Sequence, residues 1–227
     1  MVIADLDLDA ATKAVSVLGA GFVAKQVDVT QAESCASLAT ELASLGKVAT
    51  LVNNAGASWS VSLHQSTAET WAKDRALNFD GMFLMFHALA PLLIAAKGSV
   101  VTIASVNGIG VFGHPAYSAA KAGMIHLTRC IAVEYGRYGV RANSVAPGTV
   151  RTQAWEARAA SNPNAFVEAA EHYALGRIVM PEDVANAVGF LASPLAAAIT
   201  GICLPVVCGL TAGIPALART FSQSDDY

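Results

Sequence analysis

Residues 48–56 read Val-Ala-Thr-Leu-Val-Asn-Asn-Ala-Gly: an unbroken apolar and β-branched run ends on two asparagines and a glycine. A strand that is apolar at consecutive positions is buried on both faces, which is typical of a parallel sheet covered by helices. Asn and Gly favour turns, so the strand is expected to end at residue 53. The stretch therefore predicts an inner strand of an α/β sheet with polar groups where it stops.

The same pattern recurs along the chain. Apolar, strand-like runs occupy residues 2–4, 22–29, 48–53, 99–105, 141–145 and 201–207. Helical patterns lie between them at residues 8–18, 32–45, 68–95, 116–138 and 181–193. This alternation predicts a three-layer, doubly wound parallel sheet of Rossmann-like type. With no repeat or linker visible, residues 1–227 are expected to form a single domain.

Composition limits the classes of partner. The chain has 227 residues, 54% of them hydrophobic, which is ample for a core. Its 14 basic and 17 acidic residues provide no one-sided positive field, so nucleic acid is not expected as a partner. The first residues meet Asp5 without a basic flank, which is unlike a secretory signal and favours a cytoplasmic protein.

Residues 184–218 carry no charge and are long enough to span a bilayer. The prolines at 194, 205 and 215 divide this stretch into pieces of roughly ten residues. It is therefore expected to form a buried helix and a buried strand, and no membrane association is predicted.

The cysteines do not suggest a metal site. The four of them are scattered, with no CxxC pair, and the five histidines contain no HExxH pattern. They are expected to be buried free thiols, and no metal is predicted.

Polar or turn-forming residues lie at the ends of the first five predicted strands. The chain has Asp5, Asp28-Val29, Asn53 to Gly56, Ser105 and Ala146-Pro147-Gly148 at these points. Ligands of open α/β sheets bind at the carboxyl ends of the strands. A ligand site is therefore expected at this edge.

Four motifs in order resemble the short-chain dehydrogenase/reductase family. They are Asn53-Asn54-Ala55-Gly56, Ser105, Tyr117-x-x-x-Lys121 and Pro147-Gly148-Thr149-Val150-Arg151-Thr152, with the serine 12 residues before the tyrosine. The resemblance covers essentially the whole chain. It implies an NAD(P)-dependent oxidoreductase that interconverts a secondary alcohol and a ketone.

Tyr117 and Lys121 share one helical face, because residues four apart on a helix are neighbours. The lysine ammonium is expected to lower the pKa of the Tyr117 phenol, so that it can carry a proton. Ser105 is placed to hold the substrate oxygen. The resemblance implies that Lys121 also binds the nicotinamide ribose and that Asn78 links it to a water chain, giving a catalytic set of Asn78, Ser105, Tyr117 and Lys121.

The cofactor is expected to be NAD. Asp5 can accept both ribose hydroxyls and repel a 2′-phosphate, which makes NADP less suitable. The resemblance places further residues on the cofactor: Asp28 and Val29 beside adenine, Asn53, Ala55 and Gly56 along the adenosine edge, and Pro147, Gly148, Val150 and Thr152 near the nicotinamide and phosphates.

One family element is not found in the sequence. The family's glycine-rich turn, TGxxxGxG, precedes the strand that ends in Asp5, and only four residues precede Asp5 here. Residues 19–24 fit GxGxxA, but these glycines are predicted to close a helix. The first strand and its turn are therefore expected to be absent, with roughly 30 upstream residues predicted to carry them.

Residues 153–178 correspond to the variable substrate lid of the family, so the resemblance does not predict the roles of individual residues there. Trp155, Phe166 and Tyr173 suggest an apolar cover, with a bend at residues 162–164. The identity of the substrate stays open, and so do two alternatives: a 3-oxoacyl thioester reductase and a catalytically silent cofactor-binding or scaffold protein. The resemblance also implies a homotetramer.

Overall fold

The computed structural model describes residues 1–159, 162–224 and 226. Strands and helices alternate along this part of the chain, as predicted. The strands are β1 (Val2–Asp5), β2 (Val23–Gln26), β3 (Thr50–Asn53), β4 (Ser99–Ile103), β5 (Arg141–Pro147) and β6 (Cys203–Val206). The helices are α1 (Leu8–Leu18), α2 (Ala32–Leu45), α3 (Ala68–Arg75), α4 (Gly81–Ala96), α5 (Pro115–Tyr135), α6 (Gln153–Ala159), α7 (Ala165–Ala170), α8 (Pro181–Ala192) and α9 (Pro215–Ser222).

The strands pair in parallel but form two sheets. One contains β1 and β2, and the other has the order β3-β4-β5-β6. Among the residues that the structure describes, no strand pairs with the second edge of β1 or of β3. Val52 of β3 is accordingly 42% exposed, whereas Val100 and Val101 of the inner strand β4 are fully buried. These two strand edges are therefore open in the described part of the chain.

Helices cover both faces of the larger sheet. On one face, α4 contributes Phe86, Leu89 and Leu93 to the main apolar core, which includes Val100 of β4. On the other face, Leu191 of α8 packs in a second cluster with residues of β4 and β5. The continuous helical stretch Ala68–Ala96 is long and apolar enough to cross a membrane by length and composition. Within this stretch, α4 supplies apolar side chains to the main core.

Local chemistry explains where the elements end. Asp7 caps α1 by accepting hydrogen bonds from the amides of Asp9 and Ala10, each at 3.0 Å. Gly19 closes the same helix with a φ of 86°, so this glycine is a helix terminator, as predicted. The strand predicted at residues 22–29 is shorter than expected. Asp28 accepts bonds from Thr30 and turns the chain toward α2 instead.

The cysteines differ from expectation. All four are free, but only Cys35 is buried, while Cys130, Cys203 and Cys208 are partly exposed. Cys203 begins the last strand of the larger sheet, which pairs only with β5 in the described part of the chain. The prediction of four buried thiols is therefore wrong for three of them.

Within the described residues, no group of three or more His, Cys, Asp or Glu side chains could hold a metal ion.

Arg141 joins β5 to the end of α8. Its guanidinium donates to four carbonyl oxygens, at 2.8 to 3.4 Å: those of Leu191, Ala192, Ser193 and Ile199. The last carbonyls of a helix have no partner within the helix, so this one side chain satisfies several of them. The contact fixes α8 against the sheet.

We expect Arg141→Met to lower the free energy of unfolding by about 1.5–3 kcal/mol, because the carbonyls lose a charged donor. Urea denaturation measures the change. Arg75→Met is the matched control, since Arg75 forms an exposed pair with Asp80 and such pairs contribute less than about 1 kcal/mol. Equal stability of the two variants would contradict this role.

Candidate active site

Three of the four predicted catalytic residues are gathered by neighbouring elements of the larger sheet. Ser105 lies two residues beyond the end of β4, where its hydroxyl caps a short 3-10 turn. Tyr117 occupies the first turn of α5, and Lys121 follows one turn later. The Ser105 side chain acts on the Tyr117 hydroxyl, and the Lys121 Nζ lies 5.4 Å from the centroid of the tyrosine ring. The predicted grouping of these side chains is therefore present in the structure.

Asn78 completes the group from the other side. It lies in a π-helical turn, Ala76–Asp80, that interrupts the helix predicted over residues 68–95. Its Nδ2 donates to the carbonyls of Ala57 and Asp74, both at 2.8 Å. Its Oδ1 is buried and has no hydrogen-bond partner among the described residues. Such turns are frequent at functional sites, and this one presents an acceptor toward the site.

Gly56 explains the glycine of the motif that follows β3. A Cβ atom at this position would lie 2.8 Å from Asn78 Oδ1 and 3.2 Å from Lys121 Nζ. A side chain would therefore displace both groups. The glycine lets the loop pack directly against them, and it also shows that Asn78 and Lys121 converge on one point.

Asn107, which was not predicted from the sequence, orients Ser105. The Ser105 hydroxyl donates to Asn107 Oδ1 at 3.3 Å and accepts from the Asn107 amide at 3.2 Å. The Asn107 Nδ2 in turn donates to Gly113 and to Ser118 near the start of α5. These bonds fix the position of the serine hydroxyl, whose proton can turn from Asn107 toward a neighbouring oxygen. The only sequence signal was an amide two residues after the serine.

The pKa values of Lys121 and Tyr117 are set by burial rather than by their interaction with each other. Lys121 is 2% exposed, its Nζ donates to the carbonyl of Ile103 at 2.8 Å, and burial lowers its pKa to about 7. Burial is also the main reason that the pKa of Tyr117 is raised; the hydrogen bond with Ser105 opposes this, and the charge of Asp74 adds to it. The expectation that the lysine ammonium lowers the tyrosine pKa is therefore wrong here. Desolvation dominates for both groups.

The predicted cofactor residues at the carboxyl ends of β1 and β2 differ in how available their side chains are to a ligand. Asp5 is exposed at the end of β1, and its Oδ1 accepts from the Asp7 amide at 3.0 Å. Asp28 is committed to its turn with Thr30 through Oδ1. Val29 packs against the Gly81 backbone, where a Cβ would lie 2.9 Å from its Cγ2. Asp5 is therefore the more available carboxylate of the two.

The segment after β5 contacts Tyr173 and Val179 at the end of the predicted lid. Pro147 ends the strand, and Gly148 packs against Tyr173, whose ring would lie 3.0 Å from a Cβ at that glycine. Val150 forms a parallel bridge with Val179, and Thr152 is exposed. This segment is thus fixed at one end and accessible at the other.

The segment predicted as a lid contains α6 and α7, with a break between them at residues 162–164; residues 160 and 161 lie outside the described residues. Tyr173 is not an exposed cover: it is 5% exposed, and its hydroxyl accepts from the Thr149 amide at 2.8 Å. Phe166 packs partly buried in the same cluster, while Trp155 is 39% exposed. Tyr173 therefore ties residues 153–178 to the segment after β5, and its prediction as part of an apolar cover is wrong.

A nicotinamide dinucleotide would find donors and acceptors at this edge. The buried Nδ2 of Asn53 and Oδ1 of Asn78 have no partner among the described residues, which leaves one donor and one acceptor for a ligand. The exposed Asp5 suits the adenosine ribose. The connection between β1 and α1 is Leu6-Asp7, which contains no glycine. The residues present therefore fit the two ends of the cofactor better than its pyrophosphate.

Comparisons with known proteins agree with this arrangement. A family described as enoyl-(acyl carrier protein) reductase matches residues 1–211. The 2-(S)-hydroxypropyl-CoM dehydrogenase 3 of Xanthobacter autotrophicus is 37% identical over 217 residues, which are 92% of this chain and 85% of that protein. The meso-2,3-butanediol dehydrogenase of Serratia marcescens is 34% identical over 218 residues, covering 93% of this chain and 84% of the relative.

A solved structure shares both fold and sequence. The oxidoreductase of the short-chain dehydrogenase/reductase family from Burkholderia thailandensis aligns over all of this chain and 88% of its own, with a TM-score of 0.92 and 40% identity. At this identity and coverage the likeness extends beyond the fold. The chain belongs to the short-chain dehydrogenase/reductase family, whose members are oxidoreductases that use nicotinamide cofactors.

Proposed function

We propose that this protein is an NAD(H)-dependent oxidoreductase that interconverts a secondary alcohol and a ketone, with Tyr117 as the proton carrier. The observation that carries the proposal is the convergence of Ser105, Tyr117 and Lys121 at the carboxyl end of β4, with Lys121 buried and bonded to the carbonyl of Ile103. The relatives named above as dehydrogenases of hydroxyl compounds support the reaction class.

The bound nicotinamide would supply or accept the hydride. In the reducing direction, Ser105 holds the carbonyl oxygen of the substrate, and Tyr117 gives that oxygen a proton as negative charge develops on it. The raised pKa of Tyr117 keeps its hydroxyl protonated at neutral pH, which suits a proton donor. Asn107 holds Ser105 in place throughout.

Lys121 would change its charge within the working range. With a pKa of about 7, it is partly protonated at neutral pH and can return a proton toward Tyr117. The free Oδ1 of Asn78, close to Lys121, provides an acceptor for a water molecule between the site and solvent. The four residues thus form a continuous set of donors and acceptors.

The cofactor would lie along the carboxyl edge of the strands. Asp5 is proposed to bind the adenosine ribose and to disfavour a 2′-phosphate. The other proposed contacts are Asp28, Val29, Asn53, Ala55, Gly56, Tyr117, Lys121, Pro147, Gly148, Val150 and Thr152. We also propose a homotetramer, supported by exposed apolar side chains on α4 and α5 such as Phe83 and Val133.

One observation favours a second candidate. A relative that is 34% identical over 222 residues is named (3R)-3-hydroxyacyl-CoA dehydrogenase, and the matching family is described by an enoyl thioester substrate, which together favour the interconversion of 3-oxoacyl and 3-hydroxyacyl thioesters. Turnover of such thioesters with NADPH in preference to NADH would select this function over the first. A silent protein that only binds cofactor would turn over neither class of substrate.

We expect Tyr117→Phe to lower turnover at least about a hundredfold, the scale of general acid-base catalysis, while NADH affinity stays within a few-fold. NADH absorbance with cyclic and aliphatic ketones measures turnover, and fluorescence titration measures binding. Tyr138→Phe is the control, since Tyr138 is exposed and stacks with Arg137. Near-normal turnover of Tyr117→Phe would rule out this proton carrier.

Lys121 also predicts a pH dependence of stability. Its folded-state pKa of about 7 lies below the ordinary 10.5, so the unfolded chain binds a proton that the folded chain does not. Stability therefore rises from pH 7 toward 10.5, by at most about 2–3 kcal/mol between pH 7 and 9. Lys121→Met should remove this rise and also impair turnover and cofactor binding. The exposed Lys13→Met is the control, and an unchanged slope in Lys121→Met would contradict the assignment.

Cofactor choice tests Asp5. The unmutated protein should prefer NAD(H), and Asp5→Ala should reduce that preference by removing a hydrogen-bond acceptor and a repulsive charge. Discrimination of this kind reaches a few kcal/mol, or one to two orders of magnitude in kcat/KM. The measurement is the ratio of kcat/KM for NADH and NADPH. Equal use of both cofactors by the unmutated protein would disprove the role.

A further inference from the structure

A buried carboxylate lies beside the site without belonging to the four residues already described. Asp74, on the last turn of α3, is fully buried. Its Oδ2 is 3.5 Å from both the Trp59 amide and the Ser60 hydroxyl, and its Oδ1 has no partner among the described residues. These contacts are long, so the negative charge is weakly compensated. A buried and weakly compensated charge lowers the stability of the fold. A residue whose role is only to stabilise the fold would not be expected to carry such a charge.

The carboxylate contacts a segment that also contacts Asn78. We call residues 57–61 the bridging segment. Asn78 Nδ2 joins the bridging segment to α3, because it donates both to Ala57 and to the carbonyl of Asp74 itself. The catalytic amide and the carboxylate therefore hold the same segment, one turn apart on the same stretch of helix.

The other side of the bridging segment is held by His114, which precedes α5. The imidazole Nδ1 lies 3.1 Å from the Ser60 carbonyl and 2.9 Å from the Ser58 hydroxyl, and the backbone amide donates to Val61 at 3.2 Å. His114 has φ 52° and ψ 65° directly before Pro115, which is a disfavoured conformation for a residue before proline. These contacts hold that conformation at the residue before α5, which begins at Pro115, two residues before Tyr117.

The charges around Asp74 are limited. Two titratable groups face it, and both lie at the start of α5: His114, whose charge lowers the pKa of Asp74, and Tyr117, whose pKa Asp74 raises. The bridging segment has no titratable residue. On its own helix, Lys73 lies over the Trp59 ring and Arg75 pairs with Asp80.

We propose that Asp74 is a positioning residue for Tyr117 and Asn78: its buried carboxylate holds the bridging segment between α3 and the start of α5. It acts through Ser60 and His114 and does not touch the reacting atoms. The catalytic part of this inference rests on the proposed function. Its structural part does not, which allows the two to be tested separately.

The first test is the stability of Asp74→Asn, which keeps the shape and removes the charge. Burial raises the folded-state pKa of Asp74 above its ordinary value, so ionised Asp74 destabilises the fold above that pKa, and the penalty disappears as the pH falls to about 4. Asp74→Asn should therefore melt about 2–5 °C higher than the unmutated protein at pH 8, with the gap closing toward pH 4. A lower melting temperature at pH 8 would mean that Asp74 is a structural residue and would overturn the proposal.

The second test is hydrogen exchange of Asp74→Leu, which cannot accept a hydrogen bond. Exchange should accelerate at residues 57–61 and at the first turn of α5, and Asp74→Asn should restore much of the protection. Glu69→Gln, an exposed change on the same helix, is the control. Unchanged exchange in Asp74→Leu would overturn the proposal even before a substrate is known.

The third test is kinetic. Asp74→Leu should lower kcat about tenfold or more with little change in KM, and Asp74→Asn should recover most of kcat. In Asp74→Asn the acidic limb of the oxidation rate should also move to lower pH, because Tyr117 loses a neighbouring negative charge. An unshifted limb and equal kcat in all variants would refute the positioning role. If Tyr117→Phe is also fully active, the proposed function itself has failed, which is a different result.

Discussion

The contact between the Lys121 ammonium and the Ile103 carbonyl is the interaction on which the rest of the site depends. It joins α5 to the end of β4 inside the protein, where the lysine is almost completely desolvated. Tyr117 and Ser105 are consequently brought together from two elements that would otherwise be free to shift. Gly56 can then close over the lysine because it has no side chain. A buried cation is costly, and the cost is visible in its lowered pKa.

Weakly satisfied polar groups are concentrated around this contact. The buried atoms without a partner in the described part of the chain belong to Asn53, Asp74 and Asn78, and all three residues lie near the carboxyl end of β3 or on the helix facing it. Proteins satisfy nearly all of their buried polar groups, so such a cluster marks a place where ligand or water is accommodated. These unpaired polar groups lower the stability of the fold, a cost that proteins commonly carry at functional sites. The remainder of the core, built on α4 and α8, is apolar and well packed.

Much of this arrangement was predictable from the sequence. Helices α1 and α2 begin and end at the predicted residues, because Asp7 and Gly19 are strong local signals and the apolar periodicity is clear. Helical spacing predicted that Tyr117 and Lys121 lie side by side, and the family resemblance implied that Ser105 joins them. Asp74 and Asn107 could not be found in this way, since an aspartate on a helix and an asparagine after a serine are ordinary surface residues until tertiary packing buries or orients them. The direction of the Tyr117 pKa was also missed, because burial cannot be read from spacing.

Transfer of deuterium from NADH labelled at carbon 4 of its nicotinamide tests the central claim most directly. The unmutated protein would be incubated with labelled cofactor of each face and with the ketone that it reduces fastest, and the alcohol would be analysed by mass spectrometry. The account predicts one deuterium on the carbinol carbon from one of the two labelled forms, and loss of this product in Tyr117→Phe. The absence of labelled alcohol from every ketone with either form, in a folded protein that binds NADH, would contradict it.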